Sequence, residues 1–416
     1  MNKFIFIFLL FISSISGATS CRENGKNTSQ STITHDSENP ASSEIQQTAA
    51  ATKIKTGAEQ MEKYLPLLIN KRVGLVVNHT SVVLNSHLVD TLLAMNVKIT
   101  KIFAPEHGFR GQAPAGEKVA NEVDAKTGIP IISLYGNNKK PTAAQLKDLD
   151  VLLFDIQDVG VRFYTYISTM HYLMEACAAN NKPLIILDRP NPNGFYIDGP
   201  ILQPKYKSFI GMHPIPVVHG LTVGELALMI NGEKWLDSSR VCDITIIKNE
   251  NYTHKDTYSL PVNPSPNLPN DRSIQLYPTL GLFEGTMMSM GRGTEFPFQV
   301  VGAPDKVFGT FTFTPRTIPG KAKNPPHENQ LCYGIDYRSN NEASRFTLQP
   351  IIHFYKIAPD KEKYFISFFH KLVGNDIVMK QIKEGMSEAQ IKATWEKELS
   401  AYKAMRKKYL LYTDFE

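Results

Sequence analysis

A chain of 416 residues, 42% hydrophobic and 20% charged, has the composition of an ordinary globular protein and is long enough for two domains. Its formal net charge of +5 comes without a long Lys/Arg block or basic–aromatic interleaving, which argues against nucleic-acid binding. The short Arg406-Lys407-Lys408 run suits a solvated helix face.

The chain opens on a targeting segment. Lys3 precedes the apolar run Phe4–Ile12, and small residues from Ser16 to Ser20 lead to Cys21. A permanent span needs about 20 apolar residues, so residues 1–20 read as a signal peptide. Small residues before a cysteine resemble the bacterial lipoprotein signal, although Ala18 stands where that signal usually has leucine. The resemblance implies lipidation at Cys21, membrane attachment through that lipid, and a periplasmic or cell-envelope location. Residues 21–56, rich in Ser, Thr, Asn, Gln and Ala, bury too little to fold and read as a flexible tether. Cys177, Cys242 and Cys332 show no metal-ligand spacing, and core packing suits them.

From Gly57 onward strands and helices alternate. Met61, Leu65 and Leu68 have helical spacing, and Arg72–Asn78 is an apolar strand. Leu88–Met95 predicts a helix, Ile99–Ala104 a strand, Ile129–Tyr135 a short strand and Ala143–Leu149 a short helix. Val151–Phe154 and Pro183–Leu187 are apolar strands flanking a helix over Ser168–Ala179. Thr222 is placed to cap a helix over Val223–Asn231, and Asp243–Ile247 adds a strand. Strands with little alternation of polarity, separated by helices, predict an α/β domain over residues 57–250 with a parallel sheet covered on both faces. The texture then changes. Leu260–Leu282, with five prolines, reads as an extended crossing segment. Beyond it Val307–Phe313 alternates like a strand, Phe346–Tyr355 and Lys363–Leu372 look helical or mixed, and Ser387–Lys408 is helical. Residues 251–416 therefore read as a smaller α+β auxiliary domain.

Four strand ends carry polar clusters: Asn78-His79-Thr80, Glu106-His107, Asp155-Ile156-Gln157-Asp158 and Asp188-Arg189-Pro190-Asn191. In a parallel sheet the carboxyl ends share one edge, where ligands bind, so these residues are expected to converge on a crevice. No GxGxxG, P-loop or GxSxG motif occurs, so no cofactor is expected. His79, His107, Asp155 and Asp158 include ligand types, but without HxxxH or HxH spacing no metal is expected either. Carboxylates beside Asn, Gln, Tyr and Arg suit glycoside hydrolysis, which needs a protonated acid at the leaving oxygen and a second carboxylate. Glu106 follows a buried strand and lies between Pro105 and Phe109, where partial desolvation would raise its pKa as a general acid requires. Two glycine-containing islands, Leu282–Thr286 and Gly291–Phe298, add Glu284, Arg292 and Glu295.

The runs Phe103–Gly111, Asp155–Tyr166 and Asp188–Pro192 are similar to motifs of the NamZ-type exo-β-N-acetylmuramidases, as are Gly199-Pro200, Leu282–Thr286 and Gly291–Phe298. The resemblance covers the chain after the tether. It implies a Rossmann-like domain, a C-terminal auxiliary domain and a cleft between them. It also implies removal of N-acetylmuramic acid from the non-reducing ends of peptidoglycan fragments, with the catalytic glutamate of the Pro-Glu-His-Gly run at Glu106. On this reading Glu106 is the general acid, His107 orients it, and Glu284, or failing that Asp155 or Asp158, is the second carboxylate. Arg110, Arg162, Arg189 and Arg292 are candidates for the lactyl carboxylate. Asn78, Gln157 and Asn191 suit sugar hydroxyls or the acetamido group, and Tyr164 or Tyr166 could stack on the ring. Asp188 and Glu295 complete the candidate binding set. Attack by the substrate's own acetamido group is a second mechanism. The rival classes are a catalytically silent wall-sugar receptor with the same crevice and a metal-dependent hydrolase.

Overall fold

A computed structural model describes residues 53–106, 108–109, 122–339 and 344–416. Seven strands form the main sheet: Val73–Val77 (β1), Ile99–Ala104 (β2), Glu122–Val123 (β3), Pro130–Ser133 (β4), Val151–Asp155 (β5), Leu184–Leu187 (β6) and Ile244–Ile247 (β7). Their order is β3-β4-β2-β1-β5-β6-β7, parallel throughout except for β3 at one edge. The predicted strands fall within a residue or two of these bounds.

The first three helices are Met61–Leu68 (α1), Leu88–Ala94 (α2) and Ala143–Leu146 (α3). Parity within each strand sorts the core. Leu75, Ile102, Leu153 and Ile185 point to one face, which Tyr64 and Leu68 of α1 and Leu88, Val89 and Leu92 of α2 cover. Val76, Phe103, Leu152 and Ile186 point to the other, beneath the helices Tyr166–Ala179 (α4) and Val223–Gly232 (α5). Strands buried on both faces lose the alternation of polarity that a half-exposed strand would show. Thr222 caps α5 as expected: its Oγ1 accepts from Glu225 N at 3.3 Å, and Glu225 accepts in return from Thr222 N. Among the described residues backbone pairing starts at Lys55, which exchanges two hydrogen bonds with Glu250, just ahead of the Gly57 expected as the start of the fold.

The segment Leu260–Leu282 differs from expectation. Asp271–Leu280 (α6) is a helix, capped by Asn270 and carrying Pro278 in its interior. Proline lacks the N–H that would reach the carbonyl of Ile274. That carbonyl accepts instead from Asn193 Nδ2 at 3.2 Å, which is how the helix tolerates the ring. After α6 comes a 3₁₀ turn, Gly281–Gly285, and then a three-stranded antiparallel sheet of Val300–Ala303 (β8), Phe311–Phe313 (β9) and Cys332–Asp336 (β10), ordered β8-β10-β9. β8 and β10 carried no strand expectation. The Ser387–Lys408 helix is two helices, Glu388–Ala393 and Glu396–Arg406, followed by a 3₁₀ turn. Leu280, Phe283, Val301, Phe354 and Trp395 share one continuous apolar core with α4 and α5, so the two halves of the chain pack as one body. Cys177, Cys242 and Cys332 are buried and free, in keeping with core packing. Among the described residues no helix is long and apolar enough to cross a membrane.

Candidate active site

A cleft of ≈ 680 Å³, open mouth included, lies at the carboxyl edge of the main sheet and is walled on its other side by the second half of the chain. β2 ends at Ala104, Pro105 stops the ladder, and Glu106 follows in a turn closed by Gly108 N donating to Pro105 O at 3.0 Å. Glu106 Oε2 accepts from Thr165 Oγ1 at 2.8 Å, and the Tyr135 hydroxyl also donates to this carboxylate. Tyr135 stands just past β4, and Thr165 closes the loop between β5 and α4. Three strand ends thus hold one glutamate. Burial, and after it the Glu106 charge, pushes the Tyr135 hydroxyl above its usual range, so it remains a donor.

The second half supplies Tyr277 from α6, Glu284 from the 3₁₀ turn, and Arg292 and Phe298 from the loop before β8. Arg292 donates from Nε to Glu284 Oε1 at 2.8 Å, and its Nη2 lies 2.7 Å from the same oxygen in an ion pair. Its guanidinium lies 4.9 Å from the Phe298 ring centre. Tyr277 packs edge-on against Phe163 at 5.2 Å and Phe298 at 4.9 Å. The arginine loop turns at Gly291, at φ +83°, where a Cβ would come within 2.8 Å of the Val300 side chain. Glycine is required there. Tyr164 and Tyr166 line the cleft, and their hydroxyls donate to Pro264 O at 2.8 and 3.4 Å.

Several predicted site residues lie elsewhere. Asp155 is fully buried and receives Arg189 through Nε at 2.6 Å and Nη2 at 2.9 Å, so this pair is internal. Asp188 accepts from Thr222 Oγ1, Gly224 N and Tyr412 Oη, which fastens α5 to the sheet and to the C-terminal segment. Arg162 spends its guanidinium on four carbonyls, of Pro200, Ile215, Leu372 and Val373. Asn78 Oδ1 accepts from Thr80, Gln157 Nε2 donates to Asp158 O and Pro190 O, and Asn191 Nδ2 donates to Leu221 O. Each of these satisfies loop backbone or side-chain groups behind the cleft rather than lining it. Glu295 is exposed and pairs with Lys321 at 3.2 Å. His107, Arg110 and Cys21 fall outside the described residues.

Tyr135, Thr165, Tyr277, Phe209 and Asn267 line the cleft and were not foreseen. The strand-end rule, applied to Ile129–Tyr135, would have found Tyr135. Tyr277 was hidden by the prolines around it. Among the described residues no three His, Cys, Asp or Glu side chains are grouped to hold a metal ion.

Asp158 is buried, and its charge acts on the hydroxyls of Tyr164 and Tyr166. Its Oδ2 accepts from Gly160 N at 2.7 Å, Oδ1 has no hydrogen-bond partner among the described residues, and His219 Nε2 is 3.9 Å from Oδ2. Burial pushes its carboxyl up from 3.8 to about 7. Between those values the folded state binds more protons than the unfolded one, so stability falls as pH rises through the window. His219, which burial pushes down to about 3, acts with the opposite sign below 6.5. His213, also pushed down by burial, acts in the same sense as His219, so the difference in Tm between the unmodified protein and Asp158→Asn, followed from about pH 5 to 8, isolates Asp158. Relative to Asp158→Asn, the unmodified protein should lose Tm as pH rises to about 7 and then level off; a difference constant across the range would refute the assignment.

An α/β sheet whose carboxyl edge presents one carboxylate to a cleft with aromatic walls, with a second carboxylate supplied by the other half of the chain, defines a glycosidase-type enzyme. The model of the N-terminal region of exo-beta-N-acetylmuramidase NamZ matches residues 73–272, and that of its C-terminal region matches residues 275–412. The chain belongs to the NamZ exo-beta-N-acetylmuramidase family. It is 41% identical over 406 residues to the peptidoglycan beta-N-acetylmuramidase NamZ of Bacillus subtilis (strain 168), covering 92% of this chain and 96% of that one. Two crystal structures of DUF1343 family proteins from Bacteroides fragilis NCTC 9343 are also similar. One superposes with a TM-score of 0.81 at 50% identity, over 87% of this chain and 100% of the other. The second has a TM-score of 0.74 at 32% identity, over 86% and 99%.

Proposed function

We propose that this protein is an exo-acting glycosidase that releases N-acetylmuramic acid from the non-reducing ends of peptidoglycan fragments. The observation that carries the reading is the placement of Glu106 and of the Glu284–Arg292 pair on the walls of one aromatic cleft. Glu106 is the general acid. In its protonated form it gives a proton to the glycosidic oxygen as the bond to the anomeric carbon breaks. Thr165 and Tyr135 fix its orientation. Glu284, its Oε1 held by Arg292, offers Oε2 to an attacking water or to the substrate's acetamido group. The guanidinium hydrogens of Arg292 that Glu284 leaves unused suit the lactyl carboxylate that distinguishes muramic acid from other hexosamines. Export and a lipid at Cys21 would hold this chemistry in the envelope, where its substrate is made; the leader and the small residues before Cys21 support that placement.

The test is incubation of the disaccharide N-acetylmuramyl-N-acetylglucosamine, and of longer end-labelled fragments, with the full chain. Free N-acetylmuramic acid and fragments newly ending in N-acetylglucosamine are expected, with turnover unaffected by a chelator. Binding without release would replace the enzyme by a wall-sugar receptor. A smaller effect is expected from Tyr135→Phe. A hydrogen bond to a charged group contributes about 1.5–3 kcal/mol, so kcat should fall about tenfold or more while KM changes little. An unchanged kcat would remove Tyr135 from the site.

A further inference from the structure

The cleft has a feature that the acid, the carboxylate and the arginine leave unused. Ser208 and Gly211 exchange backbone hydrogen bonds at 2.9 and 3.0 Å, so Phe209 and Ile210 form the tip of a two-residue turn that reaches the cleft wall. The base of the turn is fixed. His213, buried, places Nε2 3.1 Å from His171 Nδ1 on α4 and stacks on Trp235 at 5.6 Å. At the tip, Phe209 lies nearly parallel to Tyr172 of α4, at 12° and 6.2 Å between ring centres. The Lys139 ammonium stands 4.6 Å from the centre of the Phe209 ring, and Lys139 makes no ion pair among the described residues. A half-buried phenylalanine held on a tight turn and backed by a second ring presents a fixed aromatic face at the cleft mouth.

We infer that Phe209 is the platform of a leaving-side subsite that takes the apolar face of the sugar departing from the muramic residue. The inference rests on the exo-glycosidase reading. A general acid must face the glycosidic oxygen it protonates, so the leaving sugar lies on the Glu106 side of the cleft. Phe209 is on that side: its ring centre is 6.3 Å from that of Tyr135, whose hydroxyl donates to Glu106. The face of an aromatic ring carries the negative lobe of its quadrupole, which attracts an ammonium and, by the same field, the weakly positive C–H groups on one face of a pyranose. Lys139 marks that attraction and, on a partly exposed flexible stem, can swing aside. The substrate class that follows is a saccharide rather than a simple muramide: an N-acetylhexosamine ring in the leaving position, with the chain continuing outward past Lys139.

The experiment compares two substrates that share the muramic residue and differ in the leaving group: N-acetylmuramyl-N-acetylglucosamine, and N-acetylmuramyl fluoride, which has no leaving ring. In Phe209→Ala the ratio of kcat/KM for the disaccharide to that for the fluoride should fall about tenfold or more, the scale of losing one buried aromatic face. Phe209→Tyr, which keeps the ring, should hold the ratio within about threefold. Residual fluoride turnover shows that the variant is folded. A ratio unchanged in Phe209→Ala, with both substrates still cleaved, overturns the subsite and leaves the glycosidase standing. Failure of the unmodified protein on both substrates overturns the glycosidase and the subsite with it.

Discussion

Glu106→Gln should lower kcat on N-acetylmuramyl-N-acetylglucosamine by about 10²–10⁴-fold, the usual contribution of a positioned general acid. Gln keeps the length of Glu and one acceptor oxygen, which can hold the hydrogen bond from Thr165 Oγ1, while its NH2 can donate to a neighbouring hydroxyl. It cannot give up a proton. KM should therefore change little, and because Glu106 is only partly buried the melting temperature should stay close to that of the unmodified protein. The size of the loss should depend on the leaving group. A sugar alkoxide is a poor one and needs its proton in the transition state, whereas a nitrophenolate departs almost unaided. The disaccharide should consequently suffer much more than an aryl N-acetylmuramide. Equal losses on the two substrates would mean that Glu106 acts as nucleophile or base, and near-normal turnover on both would take it out of the reaction.

The main sheet was legible because burial on both faces writes itself into sequence as continuous apolar runs, and Ile99–Ala104 and Val151–Phe154 could hardly be anything else. The second half was not. Its strands are three to five residues long, and Val300–Ala303, which contains a glycine, carries no pattern distinct from a loop. The helix Asp271–Leu280 was masked by Pro278, whose missing hydrogen bond is replaced by Asn193, 85 positions earlier along the chain in numbering. No local reading could supply that partner.

The candidate site divides in an instructive way. Glu106, Glu284, Arg292, Tyr164 and Tyr166 line the cleft, whereas Asp155, Asp188, Arg162 and Arg189 face inward. Polar residues gather at strand ends for two reasons that look alike in sequence. Some meet ligands, and others satisfy the backbone groups of the connecting loops, which have no ladder to join. Gly160, at φ +76°, shows the second demand. Its missing Cβ makes room for the Asn191 amide, which would otherwise lie 2.2 Å away, and that amide in turn ties down Leu221 O. Residue type and spacing identify the edge of the sheet but do not say which side chains turn outward, because that depends on partners such as Tyr412 that are more than two hundred residues distant.

That distinction has a large measurable consequence at Asp155. Asp155→Asn should destabilise the fold by about 3–5 kcal/mol, the cost of leaving the other member of a buried ion pair without its counter-charge. Both oxygens of Asp155 are engaged by Arg189, and the two side chains are 2% exposed or less. Among the described residues the guanidinium has one other acceptor, Val82 O at 2.9 Å, which cannot offset its charge. Urea denaturation should show the loss as a lower midpoint at an unchanged slope. Replacing both partners, Asp155→Asn with Arg189→Met, should recover part of it, since no unpaired charge is then buried. Because the pair lies off the cleft, the folded fraction of Asp155→Asn should hydrolyse the disaccharide at close to the normal kcat. A variant with undiminished stability and no turnover would return Asp155 to the chemistry, and the buried pair would then have to be read as a catalytic carboxylate held in reserve by its arginine.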